Sequence, residues 1–434
     1  MSEHDVVIIG AGAAGLGAAH RFHEEGVRAT IYEKCSFPGG HAASFSKNGF
    51  IFDDGPHISF TDDDRIRKLF HEGVDFQVEA FEADVNNYWK GHLIKHPAQV
   101  NLHGLPQDLV VTVINEMYEA KLSPRGEIRN YQDWLYASFG KTFSETFPMP
   151  YGKKIHTLDA SLMDTDWIGP RLYQPDMEEV LRGALSQYTP DVHYIKKFYY
   201  PTHGGFVGFF SRFLEQAAVE LSRKLVHIDP KAQKLRFADG SIAGYRGLVS
   251  SMPLPELIPI IEGVPDDVLQ ASMLLASSSC VVVNVGIDRA DISEVHWTYF
   301  YDEEIEFART SYPHMQSPNN VPDGCGSVQI EIYFSKKYKP LQKDPSEYIQ
   351  PTINNLIECG IFTPDDTILF SEARLASYAN VIFDLDRIAC LATVHGYLDE
   401  IGIRYCGRFG DWDYHWTDGA FISGENAAQK ILNQ

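Results

Sequence analysis

Val6-Val7-Ile8-Ile9-Gly10-Ala11-Gly12-Ala13-Ala14-Gly15 is an apolar run that ends in a G-x-G-x-x-G turn. Four β-branched residues in a row predict a short buried strand, and the alanine-rich stretch after them predicts a helix. The three glycines have separate tasks in such a turn. Gly10 permits the tight bend, Gly12 lets a pyrophosphate approach the backbone, and Gly15 lets the helix pack closely on the strand. The helix N-terminus offers N–H groups without intrahelical partners and the positive end of the helix dipole. A second strand, Ala29-Thr30-Ile31-Tyr32, runs into Glu33, at the spacing where an acid meets a dinucleotide ribose. Strand, turn, helix and acid in register point to a bound dinucleotide and an α/β fold.

The rest of the chain narrows the class. Its 434 residues are 44% hydrophobic and 22% charged, enough for several domains around a large core. The formal net charge of −22 argues against nucleic-acid binding, because no basic surface is available to neutralise phosphates. Cys35, Cys280, Cys325, Cys359, Cys390 and Cys406 form no C-x-x-C pair, so they read as reduced thiols of a cytoplasmic protein, with no metal site. No apolar run reaches the length of a membrane span, and the chain enters a strand with no signal peptide ahead of it. In so acidic a chain, an arginine beside a ligand site is informative. The sequence carries no signal for oligomeric state.

Along the chain, Thr61-Asp62-Asp63-Asp64 reads as an N-cap with acids in the first turn, opening a helix that runs through Phe70. Residues 105–194 are mostly helical in pattern, with anchors such as Trp134, Phe139, Trp167 and Tyr173. Asp239-Gly240 marks a hairpin, and Leu248-Val249-Ser250-Ser251 returns as a buried strand. Val281–Val285, Trp297–Phe300 and Val328–Tyr333 are further strands. The pattern predicts a discontinuous nucleotide-binding domain over 1–85, 201–260 and 386–434. A mobile loop and helical substrate region occupies 86–200, and a sheet-rich substrate domain 261–385.

A second glycine cluster, Pro38-Gly39-Gly40-His41 with Ser44, follows Glu33, and Asp53-Asp54-Gly55-Pro56-His57 comes next. Near the end, Gly407-Arg408-Phe409-Gly410 leads into a helix after Asp418. This order resembles the FAD-dependent amine oxidase and protoporphyrinogen oxidase superfamily. The resemblance implies a Rossmann-type domain with an inserted helical region and an antiparallel-sheet substrate domain. It implies FAD held by Gly10, Gly12, Ala13, Ala14, Gly15, Glu33, Lys34, Gly39, Gly40, His41, Ser44, Gly55, Pro56, His57, Gly407, Arg408, Asp418, Gly419 and Ala420.

Within that superfamily the chain looks most similar to the UDP-galactopyranose mutases, in their longer eukaryotic-type form. Tyr88–Gln99 resembles the mobile loop beside the nucleotide, and Asp166-Trp167-Ile168-Gly169-Pro170-Arg171 the segment carrying one diphosphate arginine. Phe307-Ala308-Arg309-Thr310 resembles the segment carrying the second, and Gly407–Tyr414 the C-terminal signature with its substrate tyrosine. The resemblance implies an isomerase in which reduced flavin N5 attacks the anomeric carbon of a nucleotide sugar and the ring recloses. Its catalytic set would be His57, Arg171, Arg309, Tyr378 and Tyr414. Gln99, Tyr151, Arg171, Tyr299, Arg309, Tyr378 and Tyr414 would bind the substrate. Two forked, permanently charged arginines suit a diphosphate leaving group. NAD(P)H is a candidate external reductant.

The chain departs from the mutases at the nucleotide. His96 stands where they have an aromatic residue, and Met149-Pro150-Tyr151 is followed by Gly152 instead of Asn. The resemblance therefore fixes neither base nor sugar. Two other readings stay open: an oxidoreductase passing hydride from a small molecule to flavin N5, and, against the intact glycine set, a flavin-free escort protein.

Overall fold

The computed structural model describes residues 6–124 and 126–434. Its organising element is a five-stranded parallel sheet in the order Ile403–Tyr405, Gly247–Ser250, Val6–Ile9, Ala29–Tyr32, Ala218–Glu220. All four residues of Val6–Ile9 are buried, as expected of a central parallel strand covered on both faces. Three distant segments of chain thus build one sheet. The helix Ala13–Glu24 follows the first strand, and the last helix, Thr417–Leu432, packs along it. Glycine makes that packing feasible: a Cβ on Gly17 would lie 2.1 Å from the Phe421 carbonyl oxygen, and one on Gly424 1.8 Å from that of Ala14.

The second large element is a seven-stranded sheet. Its order is Ile368–Val381, Ser277–Ile287, Gly326–Ser335, Arg309–Ser311, Trp297–Phe300, Val85–Trp89, His92–Lys95. It is antiparallel except where Trp297–Phe300 runs parallel to Val85–Trp89. The segment 88–99, expected as a mobile loop, is therefore in large part a sheet-edge hairpin. Its turn is Lys90-Gly91, both at positive φ, and the Lys90 N–H is tied to both Asp302 carboxylate oxygens at 3.0 Å. Helices Gln107–Leu122, Tyr131–Phe139, Lys141–Thr146 and Pro148–His156 cover one side of this sheet around a core of Tyr131, Phe139, Phe143 and Phe147.

Local expectations are met elsewhere. Asp63 caps the helix Asp64–Glu72 by accepting from the N–H groups of Arg65 and Ile66. Asp239-Gly240 joins the antiparallel strands Lys234–Phe237 and Ile242–Gly244, with Gly240 at φ +85°. The six cysteines are free thiols. Among the described residues, no helix is long and apolar enough to cross a membrane.

Candidate active site

Two cavities meet between the sheets. The first opens on the glycine turn and is lined by Gly10, Gly12, Ala13, Ala14, Glu33, Lys34, Gly39, Gly40, His41, Gly407, Arg408 and Ala420. Gly10 sits at φ +99°, a backbone state that favours glycine. A Cβ on Gly15 would lie 1.9 Å from the Gly10 carbonyl oxygen, so Gly15 serves helix–strand packing behind the cavity wall. The first helix has no acid in its first turn, which leaves its N-terminal N–H groups facing the cleft uncompensated. Gly39 donates to the Ala11 carbonyl at 2.8 Å, and a Cβ on Gly40 would reach 3.0 Å from Gly12 Cα. The second glycine cluster is thus folded against the first. Glu33 is buried and accepts the Ala11 and Cys35 N–H groups, each at 2.8 Å, one on each carboxylate oxygen. The second lone pair of each oxygen remains available to a ribose hydroxyl. These features fit a dinucleotide with its pyrophosphate on the turn and its ribose on Glu33.

Several residues expected at the cofactor sit elsewhere. Ser44 donates to Asp53 at 2.6 Å and accepts the Val207 N–H at 3.1 Å; it braces the loop and does not line the cavity. Asp418 and Gly419 lie in the first turn of the last helix, but only Thr417 and Ala420 of that turn reach the wall. Gly55 and Pro56 line the second cavity instead. Tyr378 lines both, and its hydroxyl is engaged by Glu256; burial, and then that carboxylate, push the phenol up.

The second cavity is walled by aromatic side chains, among them Tyr131, Phe147, Tyr151, Trp167, Tyr299 and Trp416. It shares His41, Asp54, His57, Ala376, Tyr378, Arg408, Trp416 and Thr417 with the first, so the two are continuous. His57 stands at this junction, its Nδ1 2.7 Å from the Gly55 carbonyl and its ring against Phe206. A carbonyl can only accept, so Nδ1 carries the hydrogen. Burial holds the imidazole down to about 4, so it is neutral at pH 7 and Nε2 is left as an acceptor. His41 is held down to about 3 by burial, helped by the Arg408 charge. The His57 loop hangs from Asp53, which takes hydrogen bonds from Ser44, Tyr200 and the Phe206 N–H.

The sequence-predicted substrate residues converge here: Gln99, Tyr151, Arg171, Tyr299, Arg309, Tyr378 and Tyr414 all line this cavity. The two arginines differ in state. Arg309 faces Glu331 directly across neighbouring strands and grips its carboxylate twice, through Nε and through a terminal nitrogen at 3.0 Å. Tyr333 donates to the same carboxylate at 2.7 Å. Arg171 has no such partner among the described residues. It donates to the carbonyls of Trp167 (2.8 Å) and Tyr414 (2.9 Å), and its guanidinium lies 4.4 Å from both the Tyr414 and Trp416 ring centres. Its Nε is buried without a partner. Gln99 is buried with its amide nitrogen on the Tyr173 carbonyl, which leaves the amide oxygen free to accept.

Glu331, Tyr333 and Trp416 were missed by reading the sequence. For the first two a signal exists: Gln329, Glu331 and Tyr333 alternate with Val328, Ile330 and Ile332, a period of two that sets three polar groups on one strand face. Trp416 is brought in only by the tertiary fold.

Comparison with known proteins agrees with this geometry. A family profile for NAD(P)-binding Rossmann-like domains matches residues 8–72. Phytoene desaturase of Phycomyces blakesleeanus is 38% identical over 89 residues, 19% of this chain and 14% of that one. Prolycopene isomerase 2 of an Oncidium hybrid cultivar is 33% identical over 130 residues, 30% of this chain and 20% of that one. The matched stretches thus span a fifth or less of these curated relatives. Structural likeness runs much further. A crystal structure of reduced UDP-galactopyranose mutase superposes with a TM-score of 0.93 at 25% identity, covering 100% of this chain and 94% of the other. A putative protoporphyrinogen oxidase from Exiguobacterium sp. 255-15 shares the fold at 16% identity, with a TM-score of 0.75 over 100% of both chains. From its first strand to its last helix the chain has the fold of UDP-galactopyranose mutase, opening on a segment that matches NAD(P)-binding Rossmann-like domains, a fold shared with enzymes.

Proposed function

We propose that the protein is an FAD-dependent enzyme that interconverts the pyranose and furanose forms of a nucleoside diphosphate sugar. One observation carries this reading. Arg171, a guanidinium without a carboxylate partner among the described residues, stands in an aromatic cavity continuous with the dinucleotide cleft. The full-length likeness to reduced UDP-galactopyranose mutase supports it.

Reduced flavin, when bound, supplies an electron-rich nucleophile for a sugar carbon. The chain's own residues do the rest. The Gly10–Gly15 turn and Glu33 fix the cofactor. His57, neutral and anchored on Gly55, offers an acceptor nitrogen at the junction of the cavities. Arg171 attracts a diphosphate, and each charge-assisted hydrogen bond of this kind contributes about 1.5–3 kcal/mol. Tyr151 and Tyr299, 5.2 Å apart edge to face, offer aromatic surface to a base or sugar and exclude water. Gln99 offers its amide oxygen to a base edge. An external reductant such as NAD(P)H would keep the cofactor reduced.

The test is anaerobic incubation of the FAD-loaded protein with UDP-galactopyranose, with and without dithionite. A furanose product that forms only after reduction is the expected result. Oxygen consumption with an apolar or amine substrate and no added reductant would replace this reading with the second one, hydride transfer to the flavin. The aromatic cavity wall is the feature that favours that alternative.

A further inference from the structure

His20 sits in the helix Ala13–Glu24 and is only 4% exposed. Its ring is held between Phe213 and Phe421, with centroids 5.2 and 5.8 Å away. Its Nδ1 lies 2.9 Å from the Gln216 amide oxygen, which can only accept, so Nδ1 carries the hydrogen and Nε2 presents a lone pair. That Nε2 is buried and has no hydrogen-bond partner among the described residues. It is aimed at two carboxylates. Glu24, one turn further on, sets its Oε1 3.7 Å away. Glu425, 7% exposed, comes across from the helix Thr417–Leu432. One ligand atom of each of the three groups lies within 4.8 Å of the other two. Two arginines approach the same carboxylates. Arg65, half exposed, holds Glu425 through both terminal nitrogens at 2.7 and 2.6 Å. Arg21 reaches Glu24 at 3.2 Å through Oε2, which leaves Oε1 toward His20. A buried acceptor without a donor is costly, and here it points to a ligand that the surrounding side chains do not supply.

We propose that His20 Nε2, Glu24 and Glu425 hold a divalent transition-metal ion of the zinc class. An imidazole nitrogen with carboxylate oxygens suits zinc, whereas calcium and magnesium take oxygen donors alone. Three protein ligands leave a fourth position for water. Ligand atoms at about 2.0–2.2 Å from a tetrahedral ion lie about 3.4 Å apart, so the three groups need close by only about 1 Å. Glu24, exposed on the last turn of its helix, is free to make that movement. Gln216 is the outer partner that fixes the tautomer and the ring. Arg65 competes with the ion for Glu425, since two cations on one carboxylate repel. The cysteines, whose spacing predicts no metal site, take no part. His20 lies about 10 Å along its helix from Ala13 at the dinucleotide turn, so the ion would not touch the cofactor or the substrate cavity. It would fasten the first helix to the last, and Ala13 and Ala420 of these two helices line the cofactor cavity. The site is independent of the reaction that the flavin serves.

The experiment is calorimetric titration of the FAD-loaded protein with zinc chloride at pH 7.5, after dialysis against EDTA and removal of the chelator, with thermal melting in parallel. The wild type should bind one zinc ion per chain tightly and melt at a higher temperature with zinc than without. His20→Phe, which keeps a ring between Phe213 and Phe421, should lose that site. Glu24→Gln, an exposed change, should weaken zinc binding at least tenfold while the metal-free melting temperature stays as in the wild type. Arg65→Gln should tighten binding at least threefold by removing the competing cation. Glu24→Gln and Arg65→Gln decide the matter if His20→Phe does not fold. The proposal is overturned if the wild type binds no zinc, if Glu24→Gln binds it as tightly as the wild type, if Arg65→Gln fails to tighten it, or if zinc leaves the melting temperature unchanged. An ion pair between protonated His20 and Glu24, with no metal, would give the first of these results.

Discussion

A methyl group added at Gly12 and one added at Gly15 meet different surroundings. At Gly12, with φ −82°, a Cβ lies 3.7 Å from Gly40 Cα, an ordinary contact, so the protein itself has room for it. Only a bound pyrophosphate would be displaced. Gly12→Ala is expected to keep the unfolding free energy of the flavin-free protein within about 0.5 kcal/mol while lowering flavin content at least tenfold. At Gly15 the Cβ would sit 1.9 Å from a backbone oxygen that cannot move aside, and Gly15→Ala should cost about 1–3 kcal/mol by thermal denaturation. Equal stability losses in the two variants would contradict this division of tasks. The Arg309–Glu331 pair behaves as a unit in the same sense. Arg309→Ala strands a buried carboxylate and should destabilise the protein by about 3–5 kcal/mol, most of which the second substitution, Glu331→Gln, should return in a denaturation cycle.

Elements differ in how far the sequence declares them. The first strand, turn and helix are legible because they are local: a four-residue apolar run and three glycines at fixed offsets suffice. The strand Gly326–Ser335 is legible as a strand, but its register is not. Register puts Glu331 opposite Arg309, and it is set by pairing with segments far along the chain. Residues 88–99 show the same limit. A Lys-Gly turn between Trp89 and His92 is a hairpin signal, yet the edge that accepts it, Trp297–Phe300, lies some two hundred residues on. The helix Thr417–Leu432 was predicted from about residue 419, and its role in holding the dinucleotide turn depends on glycines whose contacts are all tertiary. Gly424→Val places its Cβ against the Ala14 carbonyl oxygen and should both lower the melting temperature and reduce FAD occupancy, measured as flavin absorbance per chain.

At the scale of the whole molecule the buried histidines set the response to acid. Burial holds His57, His156 and His193 down to about 4 and His41 to about 3, and it holds His96 well below its ordinary value. In the unfolded chain each titrates near about 6.5. Below that pH the unfolded state binds more protons than the folded one, so stability present above about 6.5 is lost as pH falls toward 4. Asp53 and Asp164 act in the opposite sense: burial raises both to about 6, and the stability they contribute at low pH is lost as pH rises through that value. Burial also raises Asp54 and lowers His71, His296, His314 and His395, so the histidines outnumber the aspartates, and each uncompensated group is worth up to about 1.4 kcal/mol per pH unit. The melting temperature should therefore fall clearly between pH 7 and pH 4.5. A flat profile over that range would show that these histidines are not buried as described.

The first and last helices have a consequence for how the protein is made. Residues that bracket the cofactor turn emerge from a ribosome long before Gly407, Thr417 and Ala420, which complete the same cavity. The central strand likewise waits for Gly247–Ser250 and the sheet for Ile403–Tyr405. Contacts so distant in sequence form slowly, after the loop between them has closed. A chain lacking residues 417–434 should not retain FAD, so loading of the cofactor waits for the helix Thr417–Leu432.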